Sequence, residues 1–354
     1  MQYTELIEAV HWIQWKPVFI LTICLMALQT LFFHSNDLIP TVSQSAMPSA
    51  LPKPNPNSLL LPDIQTDNDP LVVEGPEDHD FPPDGAPTPY IAVCMAVRNQ
   101  ARDLREFLVH HYYHIGIRRF YIMDDNSEPP LDTFEYPGVP QSVITIVRQD
   151  PASRVGGHSE QLAIYARCMA SYGHLHTWMA FLDADEYLEM TSNDTLRDIL
   201  EEFEEDASVG ALAVNWRMHS SSGVLKRPQS ARKSFVDCIT DETDDYGRPS
   251  DNQHVKVIVR TSYAQSPLGP HMWRLNQGHV VGEHGDIIAS EAWRNPITRD
   301  RIALHHYAVK SREEYEEKMF RGNAMDDPKG ESFWDVIEKV YPHVKCPEMA
   351  KYDP

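Results

Sequence analysis

Three Asp-x-Asp pairs occur in the 354 residues: Asp67 with Asp69, Asp78 with Asp80, and Asp183 with Asp185. Only the last directly follows an apolar run of strand length, WMAFL at 178–182. Ligands of open α/β sheets bind outside the carboxyl ends of the strands, so acids delivered there are placed for chemistry. At such a point acids can hold a hard divalent cation, Mn²⁺ or Mg²⁺, through oxygen ligands. That ion would accept a diphosphate, the group a sugar-nucleotide donor carries, and take up charge as the bond to it breaks. The competing role for Asp183 and Asp185 is to cap the helix that follows. The two earlier pairs, in Pro-rich sequence, read as solvated acids.

A second acidic loop, Asp124, Asp125, Asn126 and Ser127, follows the apolar run RFYIM at 119–123. Carboxylates here could accept hydrogen bonds from a uracil N–H and ribose hydroxyls, or could shape an ordinary Asp/Asn-rich turn. Lys256 and Lys310 could meet a diphosphate or stand solvated. The pair His305 and His306 reads as a strand segment with one ring buried and hydrogen-bonded.

These groups need a scaffold, and the pattern from Tyr90 onward supplies one. YIAVCMAV is a continuous apolar run, as in a strand covered on both faces. A helix follows at 103–114, with Leu104, Phe107, Leu108 and Tyr112 at three- and four-residue steps and Gly116 as its stop. Strands at 119–123 and 142–148, a helix at 159–172 and the strand WMAFL continue an α/β rhythm. Thr195 with Asp198 is compatible with a capping box opening the helix TLRDILEEFEED. Further strands are expected at 210–218 and 254–262, and a terminal helix at 311–325 with Tyr315, Met319 and Phe320 on one stripe. The pattern predicts an α/β fold, a mixed and mostly parallel central sheet flanked by helices, with no internal repeat.

Upstream, residues 17–33 (PVFILTICLMALQTLFF) carry no charge and, at about 1.5 Å per residue, are just long enough to cross a hydrocarbon core. The expected organisation is a cytosolic tail at 1–16, a type II transmembrane anchor at 17–34, a Pro-rich disordered stem at 35–89 and a globular domain at 90–354. A cleaved signal peptide is the competing reading of the apolar run, but no small-x-small cleavage site follows it. This topology places the domain in a secretory lumen, the Golgi being the expected compartment. Asn193, Asp194 and Thr195 form a glycosylation sequon compatible with that placement. Net charge is −21, from 52 acids and 31 bases, which excludes nucleic-acid binding as a bulk surface property. The five cysteines show no CxxC spacing; Cys94, Cys168, Cys238 and Cys346 could form two disulfides or remain buried thiols.

Six ordered blocks over 90–325 resemble glycosyltransferase family 92 and related family 2-like glycosyltransferases. They are AVRNQARDLREFLVHHYYHIGIRRFYIMDDNS, QLAIYARC, FLDADEYLEM, WRMHSSSG, HVKVIVR and HHYAVKSREEYEEKMFRG. The resemblance implies the GT-A nucleotide-diphospho-sugar transferase fold. It also implies metal-dependent, inverting transfer from a UDP-sugar to a glycan or glycoconjugate acceptor. It places Asp183 and Asp185 at an Mn²⁺ or Mg²⁺ ion, completed by His306, with Glu186 as a structural or donor-contacting acid. Val97, Arg98, Asn99, Asp124 and Asn126 would line the nucleotide pocket, Gln161 and Lys256 would face the donor, and Trp216, Ser221, Ser222 and Gly223 the acceptor. Met218 and His219 stand where the family more often has an aromatic residue and a glycine, which leaves the acceptor open.

An inverting transfer needs a group to deprotonate the acceptor hydroxyl. Glu283 and Asp286, in the loop VVGEHGD, are the candidates, against the plainer role of a polar turn. Two other classes compete. A phosphatase or phosphomutase with an aspartate nucleophile wants Thr or Val soon after the second Asp, where this chain has Glu186 and Tyr187. A catalytically inactive lumenal binding protein could keep the same fold.

Overall fold

The computed structural model describes residues 89–154, 160–244, 247–290, 292–322 and 329–353. The tail at 1–16, the span at 17–34 and all but the last residue of the stem at 35–89 lie outside these. Among the described residues, no helix is long and apolar enough to cross a membrane.

YIAVCMAV becomes strand β1 (Ile91–Val97), buried at every position but Ala96. Helix α1 (Ala101–Tyr113), β2 (Phe120–Asp124), β3 (Ile144–Arg148), α2 (Glu160–Tyr172) and β4 (Trp178–Phe181) follow. Next come β5 (Glu186–Met190), α3 (Leu196–Glu204), β6 (Val209–Met218), α4 (Ala231–Ser234), β7 (Asp237–Ile239) and β8 (Val255–Arg260). The chain closes with β9 (Ala264–Pro267), β10 (Trp273–Leu275), β11 (His279–Val281), β12 (Ile302–His306), α5 (Arg312–Arg321), α6 (Glu331–Asp335) and β13 (His343–Lys345).

The main sheet runs β3-β2-β1-β4-β8-β6-β12-β5, with β11 also on β6. β3, β2, β1 and β4 pair in parallel, as do β11 and β12 with β6, while β8 and β5 run antiparallel to their neighbours. Alternate residues of β1 feed two cores. Val93 and Met95 join Leu104, Phe107 and Leu108 of α1, and Ala92 and Cys94 join Ile164, Tyr165 and Cys168 of α2. The Val, Leu, Ile, Phe and Met side chains among these each contribute roughly 1.5–3 kcal/mol when fully buried. The sheet is therefore covered on both faces, which leaves the carboxyl ends of its strands as the place for a site.

Cys94 is disulfide-bonded to Cys168, tying β1 to α2, and Cys238 to Cys346, tying β7 to the chain just after β13. Thr195 and Asp198 close a capping box on α3, so the helix after the acids is capped without Asp183 or Asp185. β5 has no apolar alternation. It is a strand because β12 lies antiparallel along it, from Ile302 opposite Met190 to His306 opposite Glu186. The last long helix is shorter than the pattern predicts, ending at Arg321 where Gly322 takes φ +70°. Of its expected stripe, Tyr315 is buried but Phe320 is 96% exposed.

Candidate active site

Side chains at paired positions of neighbouring strands leave the sheet on the same face. His306 lies opposite Glu186 of β5 and Met218 of β6, while Lys256 of β8 lies opposite Val214 of β6. Trp216, midway between Val214 and Met218, shares their face. Glu186, His306, Trp216 and Lys256 therefore emerge together at the end where β4 releases Asp183, Ala184 and Asp185.

The two aspartates have different surroundings. Asp183 is held on Oδ2 by the Lys256 ammonium at 2.7 Å, and on Oδ1 by Gln161 at 3.0 Å and the Tyr165 hydroxyl at 3.4 Å. Glu186 receives the Asp183 N–H at 2.9 Å and stands 3.3 Å from the same ammonium. Burial would depress Lys256, but the carboxylates of Asp183 and Glu186 overcome it and raise the ammonium well above its ordinary range. Burial pushes Glu186 upward. Gln161, expected to face the donor, instead orients this aspartate.

Asp185 accepts from Lys318 of α5 at 3.0 Å through Oδ2, and its Oδ1 lies 3.7 Å from His306 Nε2. Burial works against its ionisation, yet Lys318 above all, with Lys310, holds the carboxyl far below the usual carboxylate range. Burial pushes His306 down to about 3, so the ring is a neutral imidazole. Its Nδ1 is buried with no hydrogen-bond partner, and a 3.7 Å gap to Asp185 is too long for a hydrogen bond. Two ligands each about 2.0–2.2 Å from one cation stand some 3–4 Å apart, so this pair fits a shared divalent ion. Asp183, also expected as a ligand, is paired with Lys256. His305 points elsewhere, to Glu189 at 2.7 Å and His219 at 2.8 Å.

On the β1–β2 side, Asp124 is occupied by its own turn, accepting the N–H groups of Ser127 at 2.8 Å and Leu131 at 3.0 Å. It was expected to read the nucleotide; in the structure it shapes the turn. Its neighbour Asp125 keeps Oδ2 without a partner, as does Asn126 its Oδ1, and the Nε of Arg98 is likewise unmatched. Buried polar atoms are normally paired, so these three unmatched atoms single out this turn among the described residues. Asn99 and Asn126 sit at φ +53° and +58°, a conformation asparagine tolerates. Asn99 uses Oδ1 to fix Glu128 N–H at 2.7 Å. The Val97 carbonyl accepts the Asp125 N–H at 2.8 Å, holding the two loops together.

The model of the family described as "Glycosyltransferase family 92" matches residues 90–324. The chain belongs to glycosyltransferase family 92. A family 92 protein of Oryza sativa subsp. japonica is 28% identical over 155 residues, 42% of this chain and 24% of that protein. The galactan beta-1,4-galactosyltransferase GALS1 of Arabidopsis thaliana is 23% identical over 151 residues, 42% of this chain and 27% of that protein. This chain thus spans about a quarter of the length of these two relatives. Among solved structures, S. aureus TarS 1-349 in complex with UDP-GlcNAc is 14% identical, covering 49% of this chain and 46% of that one, with a TM-score of 0.28.

In this family 92 chain, three cations absent from the sequence-based site or only touched by it surround Asp185. Lys310, Lys318 and Arg321 line one pocket with Asp103 and Asp185. Lys310 stands 2.9 Å from Asp103, and Lys318 also donates to the Ala308 carbonyl at 2.8 Å. Nothing local in the sequence marks Lys318 or Arg321. Their position on α5 comes from the packing of that helix.

The acceptor-side residues divide. Trp216 is central, its ring 4.2 Å from that of His306 and 4.9 Å from that of His254, with its Nε1 unpartnered. The serine turn is structural: Ser221 binds Glu338 through N–H and hydroxyl, and Ser222 Oγ accepts the N–H groups of Val236 and Asp237 at 2.9 Å. Gly223 completes that turn at φ +74°. The two candidate bases are corrected as well. Glu283 accepts the N–H groups of Asp300, Arg301 and Ile302 and the Thr298 hydroxyl, and those donors hold it below the usual range against burial. It fastens the start of β12, about four residues or ~13 Å from His306 at the other end. Asp286 is clamped by Arg294 at 2.7 and 2.8 Å, which lowers it.

Proposed function

We propose that the chain transfers a sugar from a nucleotide-sugar donor, a UDP-sugar, to a glycan hydroxyl with inversion, using a GT-A fold and a divalent cation, Mn²⁺ or Mg²⁺. The observation that carries this reading is the open pair of Asp185 and His306, set 3.7 Å apart among Lys310, Lys318 and Arg321. An ionised carboxylate and a neutral imidazole suit one divalent cation, and the surrounding cations suit a diphosphate. When bound, the ion would supply Lewis-acid stabilisation of the departing diphosphate.

The rest of the reaction falls to the chain's own groups. Arg98, Asp125 and Asn126 present unmatched polar atoms to a base and ribose. Lys318 and Arg321 take diphosphate charge, and Lys256 fixes Asp183 beside the sugar. Family membership supports sugar transfer, and GALS1 makes UDP-galactose the first donor to try. Two disulfides and an exposed Asn193 sequon support a lumenal, Golgi placement behind the apolar run at 17–33.

The test is nucleotide release by the full-length protein in detergent, offered UDP-galactose, UDP-glucose, UDP-GlcNAc and GDP-mannose with Mn²⁺, with and without chelator. Turnover of at least one donor, abolished by chelator, is expected. Failure to bind or consume any of them would sink the reading.

A further inference from the structure

With Glu283 and Asp286 bound to the scaffold, the proton acceptor for the attacking hydroxyl has to come from elsewhere. The region to search is the flank of Trp216 away from the metal pair, because β8 and β12 lie on opposite sides of β6. His254 occupies it. Its backbone carbonyl takes the Trp216 N–H at 2.9 Å, and its ring stacks on the indole, so one indole separates it from His306.

Two features of His254 suit a base. Its Nδ1 lies 2.9 Å from the Asp251 carbonyl, which can only accept a hydrogen bond, so the neutral ring carries its proton there. The Nε2 lone pair is left free, with no hydrogen-bond partner among the described residues. Behind the ring, Asp251 Oδ1 lies 4.0 Å from Nδ1, close enough to stabilise an imidazolium. The other groups facing it are Lys329 and His271, whose ring is 5.3 Å away. His271 is built alike, with Nδ1 at 2.9 Å from the Val255 carbonyl. However, burial with Lys256, His254 and Lys329 pushes it down to about 3 and no carboxylate offsets them. On the solvent side, Trp293 is 48% exposed, bridges to the His254 backbone and sets its ring 5.8 Å from the imidazole.

We infer that the acceptor hydroxyl gives its proton to Nε2 of His254, backed by Asp251, while the acceptor's sugar ring rests against Trp293. This rests on the sugar-transfer reading above. The acceptor O–H breaks, its proton passing to Nε2, as the oxygen's electron pair forms the new bond to the anomeric carbon. The bond from that carbon to the diphosphate oxygen breaks, its pair leaving with the nucleoside diphosphate, and His254 then releases the proton to solvent. A neutral His254 is required, and its pKa lies below the ordinary 6.5, mainly through burial. Activity therefore falls as acid protonates the ring.

The test uses the full chain with Mn²⁺, following hydrolysis of the best UDP-sugar, with water as acceptor, and UDP affinity across a pH series. His254→Asn keeps a donor for the Asp251 carbonyl and deletes Nε2. It is expected to lower kcat by about 10²–10⁴-fold and abolish the acid limb, with UDP affinity changed by less than about twofold. In His254→Ala, added imidazole should restore about tenfold or more of the lost rate. Asp251→Asn should move the acid limb to lower pH. An Asn variant that keeps the wild-type rate and acid limb overturns the inference alone, as does an Ala variant that binds UDP but gains nothing from imidazole. A wild type that neither binds UDP nor hydrolyses any donor removes the sugar-transfer reading and this inference with it.

Discussion

Asp183 is held by Lys256 on Oδ2 and by Gln161 and Tyr165 on Oδ1, whereas Asp185 keeps Oδ1 turned toward His306. The sequence presents the two aspartates as equals; only contacts with residues far along the chain tell them apart. Asp185→Asn is expected to lower kcat by about 10²-fold or more, measured as UDP release at saturating donor. Lys256→Met leaves Asp183 and Glu186 facing each other without their shared cation. Breaking such a buried set costs roughly 3–5 kcal/mol, which denaturant unfolding of the variant would show. Position after a strand was enough to single out Asp183 and Asp185 from the two earlier pairs. The turn at 124–127 was legible as an acidic loop after a strand but not residue by residue, because which carboxylate caps the turn depends on where Leu131 N–H lands.

The strands and helices that were legible are those with their own apolar pattern: β1, α1, β2, β3, α2, β4, α3, β6, β8 and α5. β5 was not, since its acids form a strand only by lying along β12, more than a hundred residues later. The same non-local pairing hid the role of Glu283, which looks like a loop acid and is instead the anchor for the N–H groups that begin β12. Glu283→Gln replaces acceptor capacity with a misplaced donor. It should lower stability by about 1–3 kcal/mol in denaturant unfolding while leaving UDP affinity unchanged. Loss of UDP binding in a folded Glu283→Gln protein would return Glu283 to the site.

A chain with a net charge of −21 nevertheless gathers Lys310, Lys318 and Arg321 about one carboxylate, the arrangement on which the proposed diphosphate site rests. Stability as a whole should depend on pH. His111, His271 and His306 are each pushed by burial to about 3, against an ordinary 6.5, so the unfolded chain binds more protons between those values. Stability then rises with pH through that window and is lost as pH falls from about 6.5 toward 3, and thermal melts over that range would measure it. For topology, an endoglycosidase shift that disappears in Asn193→Gln would establish a lumenal domain, and glycosylation there is expected because Asn193 is exposed. The most direct test of the central claim is Mn²⁺ binding by the full chain in the presence of UDP, followed as loss of the free-ion electron paramagnetic resonance signal. The wild type should bind Mn²⁺ with UDP and Asp185→Asn should not; equal binding by both, or none by the wild type, would contradict a metal–diphosphate site at Asp185 and His306.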